Sequence, residues 1–155
     1  MSANFFALLV LMQGADKPAA LEMTKAVVCS TIRGYEDYTP LAEAVLVKDE
    51  KMMLYYKPTH YKIEKTKAHS TVRLTQDAKI RRRGEKAVLW SKLEMVKYEE
   101  KVKGPAQAVY MTNSISLKTL TPGDYDLEVI LHDKLAKGVE ARQVVPFTVK
   151  ASGSN

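Results

Sequence analysis

Cysteine is nearly absent from this sequence of 155 residues: Cys29 is the only one, and it lies among apolar neighbours. One cysteine cannot close an intrachain disulfide, so a small fold held together by disulfides is excluded. Glycine (7) and proline (6) are scarce and recur at no fixed interval, which excludes collagen-like and low-complexity chains. Apolar residues make up 46% of the chain, so it can form a hydrophobic core, and its length fits one domain.

The motifs of common catalytic and metal sites are missing too. There is no GxSxG, P-loop or GxGxxG pattern, and no HxxxH, CxxC or aspartate-rich loop accompanies His60, His69 and His132. Neighbouring carboxylates such as Glu99-Glu100 point to opposite faces of a strand and cannot act together on one bond. We therefore predict that the protein is not an enzyme and uses neither a metal nor a cofactor. The alternative is an enzyme whose site is assembled from distant residues, which would require a concave pocket.

Long hydrophobic runs are absent as well, and the run Phe5–Met12 has only eight residues. A helix needs about 20 apolar residues to cross a bilayer, whereas a secretory signal needs about 7 to 15 before its cleavage site. We predict a signal peptide over 1–15, a linker over 16–21, one domain over 22–150 and a flexible tail over 151–155. The mature chain would then be exported to the periplasm, the cell envelope or the medium, without a membrane span. The alternative is a buried N-terminal strand in a cytoplasmic protein.

Alternation of apolar and polar side chains dominates the C-terminal third of the chain. It predicts half-buried strands over 125–131 and 145–149, joined into a hairpin by a long polar loop. Another alternating segment over 109–117 breaks at Asn113. The tetrapeptide Thr121–Asp124 has proline and then glycine at its centre, which predicts a type II turn.

The rest of the chain predicts more short strands, and one segment has two interpretations. Ser91 and Glu94 match a helix capping box, which predicts a short helix near 92–103, although the valines and tyrosine there fit a strand equally well. The polar tripeptide 75–77 predicts a turn between two strands. Seven or eight short strands indicate an all-β antiparallel sandwich. Strands are predicted over 24–32, 51–57, 61–65, 69–74, 79–83 and 87–90.

The C-terminal hairpin carries a resemblance to a known family. The segment Leu120–Val129 and the closing Phe147–Val149 resemble the final hairpin of bacterial immunoglobulin-like and fibronectin type III-like modules, which occur in exported proteins of unassigned function. The resemblance covers about residues 109–149. It implies an immunoglobulin-like β-sandwich in which Tyr125 is the tyrosine-corner residue, its hydroxyl bonded to upstream backbone, and Trp90 is the core tryptophan. Such modules mostly spread spacing, adhesion or protein contacts over a surface.

Positive charge is concentrated in the middle of the chain. The net charge is +6, and residues 48–103 hold 16 basic and eight acidic residues. On a strand, Lys79, Arg81 and Arg83 would share one face, which Lys86 extends. We predict this basic face as the binding surface for an anionic polymer or another envelope protein, because arginine pairs bidentately with phosphate and carboxylate. The alternative is a solvated edge strand whose charge prevents aggregation.

Tyrosines beside lysines are typical of surfaces that stack single-stranded nucleic acid. Tyr55, Tyr56 and Tyr61 have this setting, so the alternative function is a cytoplasmic nucleic-acid-binding protein that also uses the face of Arg81 and Arg83. Tyrosine is equally a strand-forming residue, and no RRM, KH or helix-turn-helix motif is visible. The favoured hypothesis is a non-enzymatic exported module that binds or supports partners at the cell envelope.

Overall fold

The protein, given by a computed structural model that describes residues 19–153, is all-β. No helix occurs in this range, and the predicted all-β class is confirmed. The predicted signal peptide, residues 16–18 of the linker and residues 154–155 of the tail lie outside the described residues. The strands are β1 (Glu22–Met23), β2 (Val27–Gly34), β3 (Asp37–Pro40), β4 (Val45–Val47), β5 (Lys51–Tyr56), β6 (Pro58–Thr59), β7 (Glu64–Lys65), β8 (His69–Arg82), β9 (Val88–Lys103), β10 (Met111–Ser116), β11 (Gly123–Asp133) and β12 (Glu140–Lys150).

The strands outnumber the seven or eight that the sequence predicts, because several of them are very short. β1, β6 and β7 have two residues each, and β4 has three. Segments of this length are too short for alternation of apolar and polar residues to be recognised. The long strands β11 and β12 include the two predicted segments, and they pair as the predicted antiparallel hairpin.

Two large sheets contain most of the strands. In the first, β4, β12, β11 and β8 lie side by side, and β8 pairs with β11 and β7 along one edge and with β9 along the other. The second has the order β10-β5-β2-β3, and β1 pairs with β6 separately. All pairs are antiparallel except β4 with β12, which is parallel, so the prediction of a purely antiparallel fold is wrong at that edge.

One hydrophobic core takes side chains from both large sheets. Leu74 of β8, Leu127 of β11 and Leu54 of β5 are each no more than 1% exposed and belong to the same cluster. Burial of a leucine side chain stabilises the fold by about 1.5–3 kcal/mol. The cluster extends along the chain from Leu21 to Val149, so distant segments depend on one another for their burial.

The predicted turn at 75–77 is wrong, because β8 continues through it. Gln76 is fully buried, and its side chain forms two hydrogen bonds with the side chain of Asn113 on β10. The hydroxyl of Tyr56 donates to the same glutamine at 2.8 Å. Asn113 likewise does not interrupt β10, contrary to the predicted break. A buried pair of amides and a turn use the same residue types, which explains both errors.

The predicted helix near 92–103 is also wrong, because this segment belongs to β9. β9 pairs with β8 along almost its whole length, and its residues alternate between half-buried and exposed from Val96 onwards. The register shifts opposite Asp77, where Glu94 has a φ of 47°. Its N–H donates to the Asp77 carboxylate at 2.7 Å. The segment therefore forms a bulged edge strand.

The predicted type II turn at Thr121–Asp124 is displaced towards the N-terminus. The hydrogen-bonded turn lies before it, where the N–H of Leu120 donates to the carbonyl of Leu117 at 3.0 Å. Gly123 begins β11 with a φ of 154°, whereas a type II turn requires about 80° at this position. Gly123 therefore extends the strand instead of turning the chain.

Candidate functional site

The structure brings the predicted basic residues to one end of β8. Lys79 and Arg81 occupy outward-facing positions of the strand, on the face opposite to the buried Ala78 and Ile80. Arg83 lies just beyond the end of β8, and Lys86 is exposed in the turn to β9. The four residues are thus neighbours along the chain, but their surroundings differ.

Arg81 is paired within the fold. Its Nη1 is 2.5 Å from Oε2 of Glu128 on β11, whose other oxygen lies 2.9 Å from Nη1 of Arg142 on β12. Burial alone would raise the pKa of Glu128, but the hydrogen bonds and charges of the two guanidinium groups lower it overall. The positive charge of Arg81 is therefore compensated by a carboxylate that stays ionised.

Arg83 is also committed to contacts within the protein. Its Nη2 donates to the carbonyls of Tyr125 and Phe147, both at 3.3 Å. The carboxylates of Asp126 and Asp124 lie 3.5 Å and 4.0 Å from the guanidinium group. Arg83 therefore holds the outer ends of β11 and β12 together.

Of the predicted basic face, only the two lysines make no ion pair with any residue that the structure describes. Within residues 19–153, no carboxylate lies within 4 Å of the amine of Lys79 or Lys86. The carboxylates that compensate Arg81 and Arg83 all come from β11. Sequence reasoning missed these partners, although the alternation of Asp126 and Glu128 in a predicted strand already places two carboxylates on one face.

The charged network continues from Arg142 towards the bulge in β9. Arg142 Nη2 is 2.8 Å from Oε1 of Glu140, and His132 lies between Glu140 and Asp77. The His132 Nε2 is 2.8 Å from Asp77, and its Nδ1 is 3.6 Å from Glu140. Burial raises the pKa of Asp77, but the Glu94 N–H and His132 outweigh it and lower the pKa overall. This network links β8, β9, β11 and β12 across the outer face of the sheet.

A second basic region lies at the opposite end of β8. Lys65 and Lys67 belong to the β7–β8 hairpin, while Lys101 and Lys103 close β9. All four side chains are exposed, and none has a carboxylate within 4 Å among the described residues. A cleft of about 300 Å³ separates the hairpin from the residues that follow β9. The sequence signalled this region only as part of the charge excess in 48–103.

The tyrosines that suggested a nucleic-acid surface are largely packed into the protein. Tyr56 is fully buried, which raises its pKa, and its hydroxyl donates to Gln76. Tyr55 is 2% exposed and stacks against Tyr38 and Tyr110, with ring centroids 4.3 Å and 5.5 Å apart. Neither Tyr55 nor Tyr56 has a free ring face on which a base could stack.

Tyr61 has a different position from the other two tyrosines. It is half-buried beside Lys57 and His60 in an open cleft of about 450 Å³. Burial, followed by the charge of Glu100, raises its pKa. The ring of Tyr35, which is 45% exposed, lines the same cleft, whereas Tyr55 and Tyr56 do not.

The two aromatic residues singled out for structural roles lie in different environments. Tyr125 is 1% exposed, its hydroxyl donates to the carbonyl of Thr121, and its ring stacks on Phe147 at 5.6 Å. Trp90 lies on the edge strand β9 opposite Ile80, half-buried against the margin of the core. The implied role of Trp90 at the centre of the core is wrong, because an edge strand brings it to the periphery.

Cys29 and the histidines form neither a reactive thiol site nor a metal site within the described residues. Cys29 is 2% exposed, and burial raises the pKa of its thiol, which lowers the fraction of reactive thiolate. No group of three His, Cys, Asp or Glu side chains within 19–153 is arranged to hold a metal ion. The same range has no helix with the length and apolar character that a bilayer crossing requires.

Comparison with known proteins adds no relative to this picture. No protein-family model matches the chain, and a search of curated proteins finds no match. The residues and surfaces described above are therefore the basis for proposing a function.

Proposed function

We propose that this protein is a non-enzymatic module of the immunoglobulin-like β-sandwich type, exported to the cell envelope, where it binds or supports a partner. Three features support the proposal: the N-terminal apolar run, the two sheets with a common core, and the Tyr125 hydroxyl. That hydroxyl bonds to backbone four residues upstream, at Thr121, which is the geometry of a tyrosine corner. The partner is an anionic polymer or another envelope protein, and no cofactor takes part.

The observation that carries this proposal is that the polar groups of the interior are used by the fold itself. Gln76 and Asn113 bond to each other. The Asp133 carboxylate accepts the N–H groups of Lys62 and Leu135 at 2.6 Å and 3.0 Å. Throughout the described residues, every buried side-chain nitrogen and oxygen has a hydrogen-bond partner. Satisfied buried polar groups are the rule in native proteins, and here they leave the contacts of the proposed binding module to the surface.

The nucleic-acid alternative gains no support from the arrangement of its residues. Arg81 and Arg83 bond to carboxylates and backbone carbonyls of the protein itself. Tyr55 and Tyr56 are buried, so their rings are not available to bases.

The experiment that tests the envelope proposal is the recovery of the native protein from fractionated source cells, followed by intact-mass measurement. A mature N-terminus near Asp16 in the envelope or secreted fraction is the expected result. An intact start at Met1 or Ser2 in the cytoplasmic fraction would overturn export and make the N-terminal run part of a cytoplasmic protein.

A further inference from the structure

We propose that the protein binds an acidic polysaccharide at the end of its large sheet opposite to the arginines. The surface consists of Lys65, Lys67, Lys101 and Lys103, and we call it the lysine end. This inference rests on the proposed role as a binding module, but it does not depend on where the protein resides in the cell.

The strand register places these lysines around one end of β8. Lys103 pairs with His69 and Lys101 with Thr71, so both lie on the same face of β9, about 7 Å apart. Lys65 lies across the other edge of β8, opposite Ser70. Lys67 occupies the loop between β7 and β8. Because Lys65 pairs with Ser70, it lies on the opposite face of the sheet from Lys101 and Lys103, so the four lysines flank the strand end from both faces.

Hydrogen bonds fix the hairpin loop beside the end of β9. The hydroxyl of Ser70 donates to the carbonyl of Gly104 at 2.6 Å. The N–H of Thr66 donates to the carbonyl of His69 at 2.8 Å, and the N–H of His69 donates to the hydroxyl of Thr66 at 3.0 Å. The backbone that carries the lysines is thus held in place, while their long side chains extend into solvent.

Three acidic residues lie near the lysine end, and one of them is paired with an arginine. Glu99 pairs with Arg73 at 3.0 Å, and Glu100 accepts from the Tyr98 hydroxyl at 3.0 Å. Glu64 directly precedes Lys65, and it pairs with Thr71, whose other partner is Lys101. Glu64 and Lys101 therefore share one face of the sheet, with two strand spacings, about 10 Å, between their backbones. The four lysines outnumber Glu64 and Glu100, so the lysine end keeps a net positive charge, and among the described residues none of its amines forms an ion pair, in contrast to Arg81 and Arg83.

The residue types favour a polymer with repeated anionic groups. Lysine offers a mobile point charge rather than the fixed fork of arginine, so it suits a line of carboxylates or sulfates better than one planar bidentate group. The cleft of about 300 Å³ is bordered by Lys65, Lys67 and His69, and its lining within the described chain includes no tyrosine, phenylalanine or tryptophan ring. Proteins that bind single-stranded nucleic acid without sequence preference stack bases on such rings. These observations favour an acidic polysaccharide over nucleic acid.

The test measures binding of the full chain to three probes at low salt: dextran sulfate, polygalacturonate and a single-stranded thymidine oligonucleotide. The variant replaces Lys65, Lys67, Lys101 and Lys103 by glutamine. A matched control removes the same charge at the opposite end of the molecule, where the replaced residues are Lys48, Lys51, Lys118 and Lys150. Melting temperatures of all three proteins establish that they are folded.

The expected result is that the wild type binds at least one polysaccharide and that the lysine-end variant loses about tenfold or more in affinity while the control stays within about twofold. The salt dependence of binding should become shallower in the lysine-end variant alone. Preference for dextran sulfate or polygalacturonate identifies sulfate or carboxylate as the recognised group.

Three outcomes would overturn the inference. The first is that neither polysaccharide binds, and the second is that the two variants lose equal affinity. The third is that the oligonucleotide binds more tightly than either polysaccharide, which would assign the lysine end to nucleic acid instead. If neither polysaccharide binds, the proposed envelope location can still be correct. If the native protein is found in the cytoplasm, the proposed polysaccharide binding can still be correct. The two proposals therefore fail separately.

Discussion

The carboxylate of Glu128 lies between the guanidinium groups of Arg81 and Arg142, at 2.5 Å and 2.9 Å. Three adjacent strands, β8, β11 and β12, each contribute one of these residues. The arrangement makes Arg81 a cross-strand contact of the sheet instead of a free cation. Among the described residues at this end of β8, Lys79 and Lys86 keep unpaired charges, while four further unpaired lysines lie at the other end.

Replacement of Glu128 by Gln should destabilise the protein by about 1–2 kcal/mol at neutral pH, because two charge-assisted hydrogen bonds of a mostly buried carboxylate are weakened. The pKa of Glu128 is lower in the folded protein than its ordinary value. Its stabilisation is therefore fully present above the unfolded pKa and is lost as the pH falls through the folded pKa. Urea unfolding of both proteins from pH 7 to acid checks this.

The control for this prediction is Glu85→Gln, which removes an exposed carboxylate from the turn after β8. Its free energy of unfolding should differ little from that of the wild type. A difference between wild type and Glu128→Gln that stays constant down to strongly acid pH would contradict the assigned ion pairs.

Replacement of Gly123 by Ala should destabilise the fold by about 1 kcal/mol or more, because its φ of 154° disfavours a side chain. An added Cβ would lie 2.9 Å from Nη1 of Arg82, whose guanidinium carbon stands 5.3 Å from the centre of the Tyr125 ring. The arginine can move, but it then leaves the aromatic ring. Thermal melts of Gly123→Ala and Gly34→Ala provide the comparison.

Gly34 is the matched control because no atom lies within 4 Å of a Cβ built there and its φ is not in the left-handed region. The Gly34→Ala melting temperature should be unchanged or slightly higher. Equal destabilisation by the two substitutions would refute the specific role of Gly123.

The sequence predicted the strands whose inner positions are all apolar. In β11, Tyr125, Leu127, Val129 and Leu131 alternate with polar residues, so one buried face can be read directly. In β8 the same two-residue period passes through Gln76. Its polar side chain hides the period, and its partner Asn113 is 37 residues away. Local patterns do not identify a buried polar pair whose members are brought together only by the fold.

Prediction of the candidate binding surface from the sequence was limited for the same reason, since residues far apart in the chain decide it. The alternation of Lys79 and Arg81 is a local property and could be read from the sequence. Compensation of Arg81 depends on Glu128, 47 residues away. The lysine end depends on pairing of β8 with both β7 and β9, and the segment of β9 has the residue types of a helix and a strand at once. Tertiary pairing, which no single segment specifies, decides which charges remain available.

Cys29 should react slowly with a thiol reagent in the folded protein. The side chain is 2% exposed, and burial raises the pKa of the thiol, so both access and the thiolate fraction are reduced. Spectrophotometric titration with a disulfide reagent in buffer and in concentrated urea measures this. Rapid and complete reaction in buffer would show that β2 opens easily or that the thiol is more accessible than its position indicates.

Replacement of Asn113 by Leu should cost about 2–3 kcal/mol, because it leaves the amide of the fully buried Gln76 without one of its partners. Tyr56→Phe removes only one donor, since Gln76 still accepts from Asn113, and should cost about 1 kcal/mol. The double substitution Gln76→Leu and Asn113→Leu removes both amides, so it should cost less than the sum of the two single leucine variants. Chemical denaturation of the four variants measures the coupling. Strict additivity would mean that the two amides do not depend on each other and that the strands β8 and β10 are held together by apolar packing alone.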